Sequence, residues 1–290
     1  MMVCRRIVLG LLAVGCAVAV GGCTIDRPGS APADSSHPSA VPAPTVPAPH
    51  PSAAPVSSLD EVVAGLPGTA GVAVFSPGQE LAAGFQDPAP GWSTMKVPVA
   101  IAALRAGVGD AATVRRAITA SDNDAAAALW SALGTPEQAG RATTAVLADA
   151  PGPQPSAQTR TVRPPFSAFG QTQWSVAQQA RFASVLPQLD GSGPVTAAMG
   201  AIVPEQSWGL GRLPEARFKG GWGPDESGAY LVRQLGYIDR GAQCAPVGIA
   251  VLAKAEDGTF ESATAMLSTM AERLDQLRAG SLHLFECPRP

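Results

Sequence analysis

From Leu59 onward, apolar positions recur in two rhythms, and the switches between them mark out the elements. Leu59 to Leu66 has the spacing of a short helix. Gly71 to Phe75 is an unbroken apolar run suited to a buried strand, with Glu80 to Phe85 as its hairpin partner. A helical rhythm follows over Ser93 to Ala106, with Val97, Ile101 and Leu104 on one face. It continues over Ala111 to Leu133, broken near Ser121, and over Pro136 to Asp149, Val176 to Leu186 and Pro194 to Ile202. Strand patterning returns at Arg217 to Gly221, Tyr230 to Ile238 and Val247 to Ala253, and Phe260 to Leu277 closes as an amphipathic helix. The order predicts an α+β fold rather than repeated βαβ units. In it the N- and C-terminal segments share one antiparallel sheet and a helical lobe is inserted between them.

The first 58 residues lack that patterning. Arg5 and Arg6 precede an apolar run, Ile7 to Val20, too short to span a bilayer comfortably, which reads as an export signal. The run ends at Val20-Gly21-Gly22-Cys23, which resembles a bacterial lipobox. That resemblance implies that Cys23 is the lipidated first residue of a mature protein anchored to the outer face of the cell membrane. Thr24 to Ser58 is rich in Pro, Ala and Ser with few charges, and cannot bury enough surface to offset its ordering entropy. It is expected to be an extended tether reaching roughly 100 Å. The predicted organisation is a signal over 1–22, a tether over 23–58 and one folded domain over 59–290.

A formal net charge of −3 argues against a nucleic-acid partner. Cys4 and Cys16 leave with the signal, so Cys244 and Cys287 remain in the folded part. In an oxidising compartment a bridge between them is expected, two separate buried thiols being the alternative. No Cys/His cluster has zinc spacing, and neither a metal nor a cofactor is expected.

Of the 20 basic residues only Lys96, Lys219 and Lys254 are lysines. A chain this biased towards arginine keeps lysine where a proton must be released, which arginine cannot do. Lys96 closes Ser93-Thr94-Met95-Lys96 and Lys219 opens Lys219-Gly220-Gly221, with Ser121-Asp122-Asn123 between them. Residues three apart on a helix are neighbours, so Ser93 and Lys96 share a face. A serine hydroxyl is a weak nucleophile without a base, and a serine at a helix start has its own N–H and the helix dipole to stabilise an oxyanion. His37 and His50 lie in the tether and only His283 remains, so Lys96 is the better candidate base than any histidine.

The three motifs in this order, with Arg115 to Ala126 and Gly134-Thr135-Pro136 around the second, resemble the serine β-lactamase and penicillin-binding-protein superfamily, class A β-lactamases in particular. Gly170 to Ser175 is similar to the segment after that family's Ω-loop. The resemblance implies that Ser93 is acylated, Lys96 takes its proton, Ser121 relays a proton to the leaving amine and Lys219 holds a substrate carboxylate. Asn123 would bind a substrate amide, Gly221 would let the strand edge approach, and the N–H groups of Ser93 and Trp222 would form the oxyanion hole.

Three departures accompany it. Gly220 lacks the hydroxyl usual in the third motif, and Ser93 and Ser121 lie closer in sequence than in class A enzymes. Between Ala150 and Leu189 there is no Asp or Glu, while Gln158, Gln171 and Gln173 are amides that cannot act as general bases at neutral pH. Two readings follow. One is a serine acyl-transfer hydrolase acting on β-lactams or D-Ala-D-Ala-like wall peptides with slow deacylation. The other is a catalytically idle member that binds peptidoglycan or a protein partner. Trp208 either lines the cleft or packs, and Glu205 is a candidate replacement acid.

Overall fold

A computed structural model describes residues 56–241 and 243–280. The expected signal and most of the tether, Cys23, His283 and Cys287 lie outside the described residues. Helix α1 (Leu59–Val63) leads into strands β1 (Gly68–Ser76) and β2 (Gln79–Gly84). A two-residue strand, β3 (Ala89–Pro90), precedes a tight 3₁₀ turn over Trp92–Met95. The helical lobe follows as α2 (Lys96–Arg105), α3 (Ala111–Thr119), α4 (Asn123–Ala132) and α5 (Pro136–Leu147). Then come β4 (Gln173–Trp174), α6 (Val176–Val185) and α7 (Gly193–Met199). Strands β5 (Ala216–Pro224), β6 (Tyr230–Ile238) and β7 (Val247–Ala255) lead to the closing helix α8 (Phe260–Gly280).

The main sheet runs β2-β1-β7-β6-β5, and every neighbouring pair is antiparallel. N-terminal β1 pairs with C-terminal β7 from Gly68↔Ala255 to Phe75↔Gly248, so the two ends of the domain share one sheet as the pattern predicts. Strand alternation sends Val72, Val74, Ile249 and Val251 to one face, where they meet Met266, Leu267, Met270 and Leu274 of α8. Ala73, Ala250 and Leu252 face the other way onto Val176 and Ala180 of α6. The lobe has its own core around Met95, Ile101, Ile118, Leu129, Leu147 and Phe182. Thr135 and Ser175 open α5 and α6 with capping boxes, their side chains and those of Gln138 and Gln178 satisfying each other's backbone N–H groups.

The elements depart from the sequence expectation in ways that matter to the site. The helix expected from Ser93 begins as a 3₁₀ turn and becomes α-helical only at Lys96, because the Thr94 hydroxyl donates back to the Gly91 carbonyl and Trp92 sits at φ +48°. Strand β5 runs to Pro224, past the expected Gly221, because Trp222 to Pro224 stay paired with Tyr230 to Val232 around the hairpin. The β3–β4 ladder pairs only Ala89↔Trp174 and Pro90↔Gln173, too short to show a periodicity.

Candidate active site

Edge strand β5 lies against the 3₁₀ turn, and glycine makes the approach possible. A Cβ at Gly221 would stand 2.7 Å from the backbone nitrogens of both Ser93 and Thr94. A Cβ at Gly223 would stand 2.7 Å from the indole of Trp92. Backbone therefore touches backbone where the Ser93 N–H sits, and only glycine fits there. Among the described residues three non-glycines have positive φ, and two of them, Trp92 and Ser121, lie in this site. Such conformations cost of order 1–3 kcal/mol each and persist where the surroundings enforce them.

Behind the turn, Arg233 on β6 is fully buried (0% exposed) and donates to the carbonyls of Ala89, Pro90 and Trp174 and to Gln179 Oε1, at 2.6–3.1 Å. Gln179 in turn donates to Thr94 Oγ1 at 2.8 Å. The guanidinium thus ties β6 and α6 to the chain on both sides of Ser93. None of its partners is a carboxylate, and burial lowers its pKa to about 9.

Lys96, 2% exposed, donates to Ser121 O (2.5 Å), Ser121 Oγ (3.1 Å) and Asn123 Oδ1 (2.7 Å). The left-handed backbone of Ser121 turns that carbonyl inward, and Asp122 then caps α4 by accepting from Ala125 N (3.0 Å). Burial lowers the Lys96 pKa to about 8, opposed by the charge of Asp122. The Asn123 amide N–H groups make no hydrogen bond to any described residue. The Ser93 hydroxyl makes no hydrogen bond to any described residue.

Ser93, Lys96, Ser121, Asn123 and Trp222 line one cleft of about 570 Å³. Lys219 and Gly221 do not line it. Gly221 is the contact surface just described. Lys219 points to the same side of β5 as Gly221 but is fully buried, and its amine donates to Gly220 O at 2.8 Å. Burial first, and the nearby Lys96 charge second, hold its pKa well below the usual lysine range. The proximity of the two amines is therefore present, but the second is closed off from the cleft.

Trp208 covers the opposite side of β5. A Cβ at Gly220 would stand 3.0 Å from the Trp208 ring, so the indole lies where the side chain of residue 220 would project. Trp208 packs edge-on against Trp222 and Phe260 and does not line the cleft. Glu205 does not line it either.

The cleft's roof comes from Pro165, Phe166, Ser167, Phe169 and Gly170 and contains no carboxylate. Gln171 organises it: its Oε1 accepts from Arg163 N (2.7 Å) and its Nε2 donates to the carbonyls of Arg163, Phe166 and Ser167. Gln158 is spent on Thr159 and Arg160 N–H groups, and Gln173 donates to Gln171 O. Arg163 reaches from the roof to Pro224 O and lies over the rings of Trp92 (5.5 Å) and Phe166 (4.9 Å). Among the cleft residues that the sequence did not single out, one is charged. Asp124, beside Asn123 and three residues before Ala127, presents an exposed carboxylate to the cleft wall. Helical spacing within Ser-Asp-Asn-Asp was the available signal.

Cys244 is disulfide-bonded; its expected partner lies outside the described residues.

No family model and no curated sequence matches the chain. Solved structures do. An ancestral class A β-lactamase variant, of the last common ancestor of Gram-negative bacteria, is 22% identical with a TM-score of 0.55, over 78% of this chain and 97% of that one. The putative class A β-lactamase PenP from Rhodopseudomonas palustris is 16% identical with a TM-score of 0.57, over 77% and 98%. A β-lactamase from Xanthomonas campestris pv. campestris is 18% identical with a TM-score of 0.57, over 77% and 99%. The chain thus has the class A β-lactamase-like fold.

Proposed function

We propose that this chain is a serine acyl-transfer hydrolase of the β-lactamase or D,D-peptidase type, working through Ser93 with slow deacylation. The observation that carries the proposal is an unengaged serine hydroxyl at the start of a helix, facing the same cleft as a desolvated lysine one turn on. In this reading Ser93 Oγ attacks the acyl carbonyl, and its proton passes to the neutral form of Lys96. With a pKa of about 8, roughly one Lys96 in ten is neutral at pH 7. To accept, the amine gives up a donated bond, the longest being that to Ser121 Oγ (3.1 Å). Ser121 then hands a proton to the leaving nitrogen. The N–H groups of Ser93 and Trp222 take the oxyanion, an element worth about 3–4 kcal/mol per donor.

Deacylation needs a base to activate water, and the roof supplies none. An acyl-enzyme formed on Ser93 is therefore long-lived, which suits acyl donors such as β-lactams or the D-Ala-D-Ala-like ends of wall peptides. The same proposal places the protein outside the cell, lipid-anchored through Cys23; the disulfide at Cys244 supports export.

Fluorescent penicillin on wild type and on Ser93→Ala is the test. Covalent label on the first and none on the second is expected; equal label, or none on either, removes the proposal. Rapid multiple turnover of a chromogenic cephalosporin would remove its slow-deacylation part. The closure of Lys219 favours a second reading, an idle cleft that binds wall peptide or a protein without reacting.

A further inference from the structure

The charge that this cleft offers a ligand is negative. Two of its lining residues are charged. Lys96 is 2% exposed and gives hydrogen bonds to Ser121 and Asn123. Lys219, the cation that would meet a substrate carboxylate, does not reach the cleft. Asp124 is exposed in the first turn of α4, and its side chain makes no hydrogen bond or ion pair to any described residue. The carboxylate whose field acts on Lys96 is Asp122, so Asp124 is not committed to that lysine. Other cleft walls are aromatic, with Trp92, Phe166, Trp222 and Tyr230. Ring faces attract cations, and Trp92 and Phe166 already hold the guanidinium of Arg163 on the roof side. A free carboxylate in a cleft that aromatic rings also line is the chemistry that recognises an organic cation.

We propose that Asp124 reads an ammonium or guanidinium group on the acyl donor, so that the cleft prefers substrates with a cation near the reacting carbonyl. The inference rests on this cleft being the substrate site and names the substrate class within that reading. Such donors include wall peptides with a free side-chain amine and penicillins with an amino group on the acyl side chain. An exposed carboxylate–ammonium pair supports a preference of about two- to fivefold.

The test uses two probes that differ by one amine, aminobenzylpenicillin and benzylpenicillin. Their affinities for Ser93→Ala are compared by calorimetry at pH 6.5, where an α-amine is protonated. Because Ser93 is gone, binding is read without acylation. The amine-bearing probe should bind about two- to fivefold more tightly at low salt, with the gap narrowing at 0.5 M salt, both by about the expected amounts for an exposed pair. Adding Asp124→Asn should bring the ratio to about one. Equal affinities in Ser93→Ala, or a preference that survives Asp124→Asn, overturn the inference. Failure of both probes to bind overturns it together with the cleft's role. A preserved preference alongside no covalent label on the intact serine would sink acyl transfer alone and leave the Asp124 site standing.

Discussion

Lys219→Met tests whether the third motif is kept for chemistry at a cost in stability. Lys219 is fully buried, donates to the carbonyl of its own neighbour, and has no carboxylate partner. Its pKa lies well below the usual range because of burial and then the Lys96 charge. Replacing buried ionic groups by apolar residues of similar volume is often neutral or stabilises by about 1–4 kcal/mol, and an amine with no carboxylate partner falls at the stabilising end. At this domain size each kcal/mol moves the midpoint by about 2–4 °C, so a rise of roughly 2–16 °C is expected near pH 7. The pH dependence follows from proton counting. Burial lowers the folded amine's pKa while the unfolded amine titrates near pH 10.4, so between those two values the unfolded lysine binds a proton that the folded one lacks and wild-type stability rises with pH across that window. The Met variant lacks this dependence, so its advantage is greatest near pH 7 and shrinks towards pH 10. Thermal melts of both proteins at pH 7 and pH 9.5 measure the difference directly. Penicillin labelling of the variant should stay close to the wild-type rate, because the amine does not reach the cleft. A variant less stable at pH 7, or an advantage unchanged at alkaline pH, would refute the picture of a desolvated, unpaired amine.

Further outcomes follow from the same geometry. Labelling should accelerate as pH rises through about 8, where Lys96 becomes neutral, and Lys96→Arg should abolish it, since arginine keeps its proton; a rate flat from pH 6 to 9 removes Lys96 as the base. Gly221→Ala places a methyl 2.7 Å from Ser93 N and Thr94 N, and should destabilise by about 1–3 kcal/mol while slowing labelling more than tenfold. Gly193→Ala, with nothing within 4 Å, is the control for denaturant melts. Arg233→Met leaves the Ala89, Pro90 and Trp174 carbonyls without their buried donor and should cost about 3–5 kcal/mol in urea unfolding.

Much of the scaffold was legible because its signals are local. An apolar run announced β1, strand patterning announced β6 and β7, and amphipathic patterning over Phe260 to Leu277 announced α8, whose apolar side packs on that sheet. The break near Ser121 was legible because Ser, Asp and Asn favour turns and caps, and Asp122 does cap α4. What escaped depends on contacts between distant segments. The position of Lys219 in its motif says nothing of whether its amine faces a cleft or a closed interior. The roles of Gln171 as the tie of the roof and of Arg233 as the clamp on the turn arise only once residues 54 to 144 apart are brought together, or, for Gln171, once a loop without periodicity has folded back on itself. The Ω-like segment carries no acid, whereas the exposed carboxylate of the cleft stands in the first turn of α4, at Asp124.

Gly220 and Trp208 explain one another, and together they change what the cleft recognises. Read in sequence, Gly220 is a lost hydroxyl. In the fold it is the surface on which an indole rests, with the Trp208 ring 3.0 Å from where a Cβ would begin. A threonine at 220 would have to displace that ring from its contacts with Trp222 and Phe260, so the usual third motif cannot be restored by one substitution. The ring covers one side of β5 while the helical lobe covers the other, where Lys219 lies without exposure. A cleft built in this way holds the Ser93 hydroxyl, its neighbouring amine and the turn that carries them, yet lacks an open cation for a carboxylate and presents an open anion instead. On the proposed reading, acyl transfer and carboxylate recognition are separable on this fold: the first would rest on the packing of β5 against Ser93, the second on a hydroxyl that Gly220 lacks and an amine that is buried at Lys219.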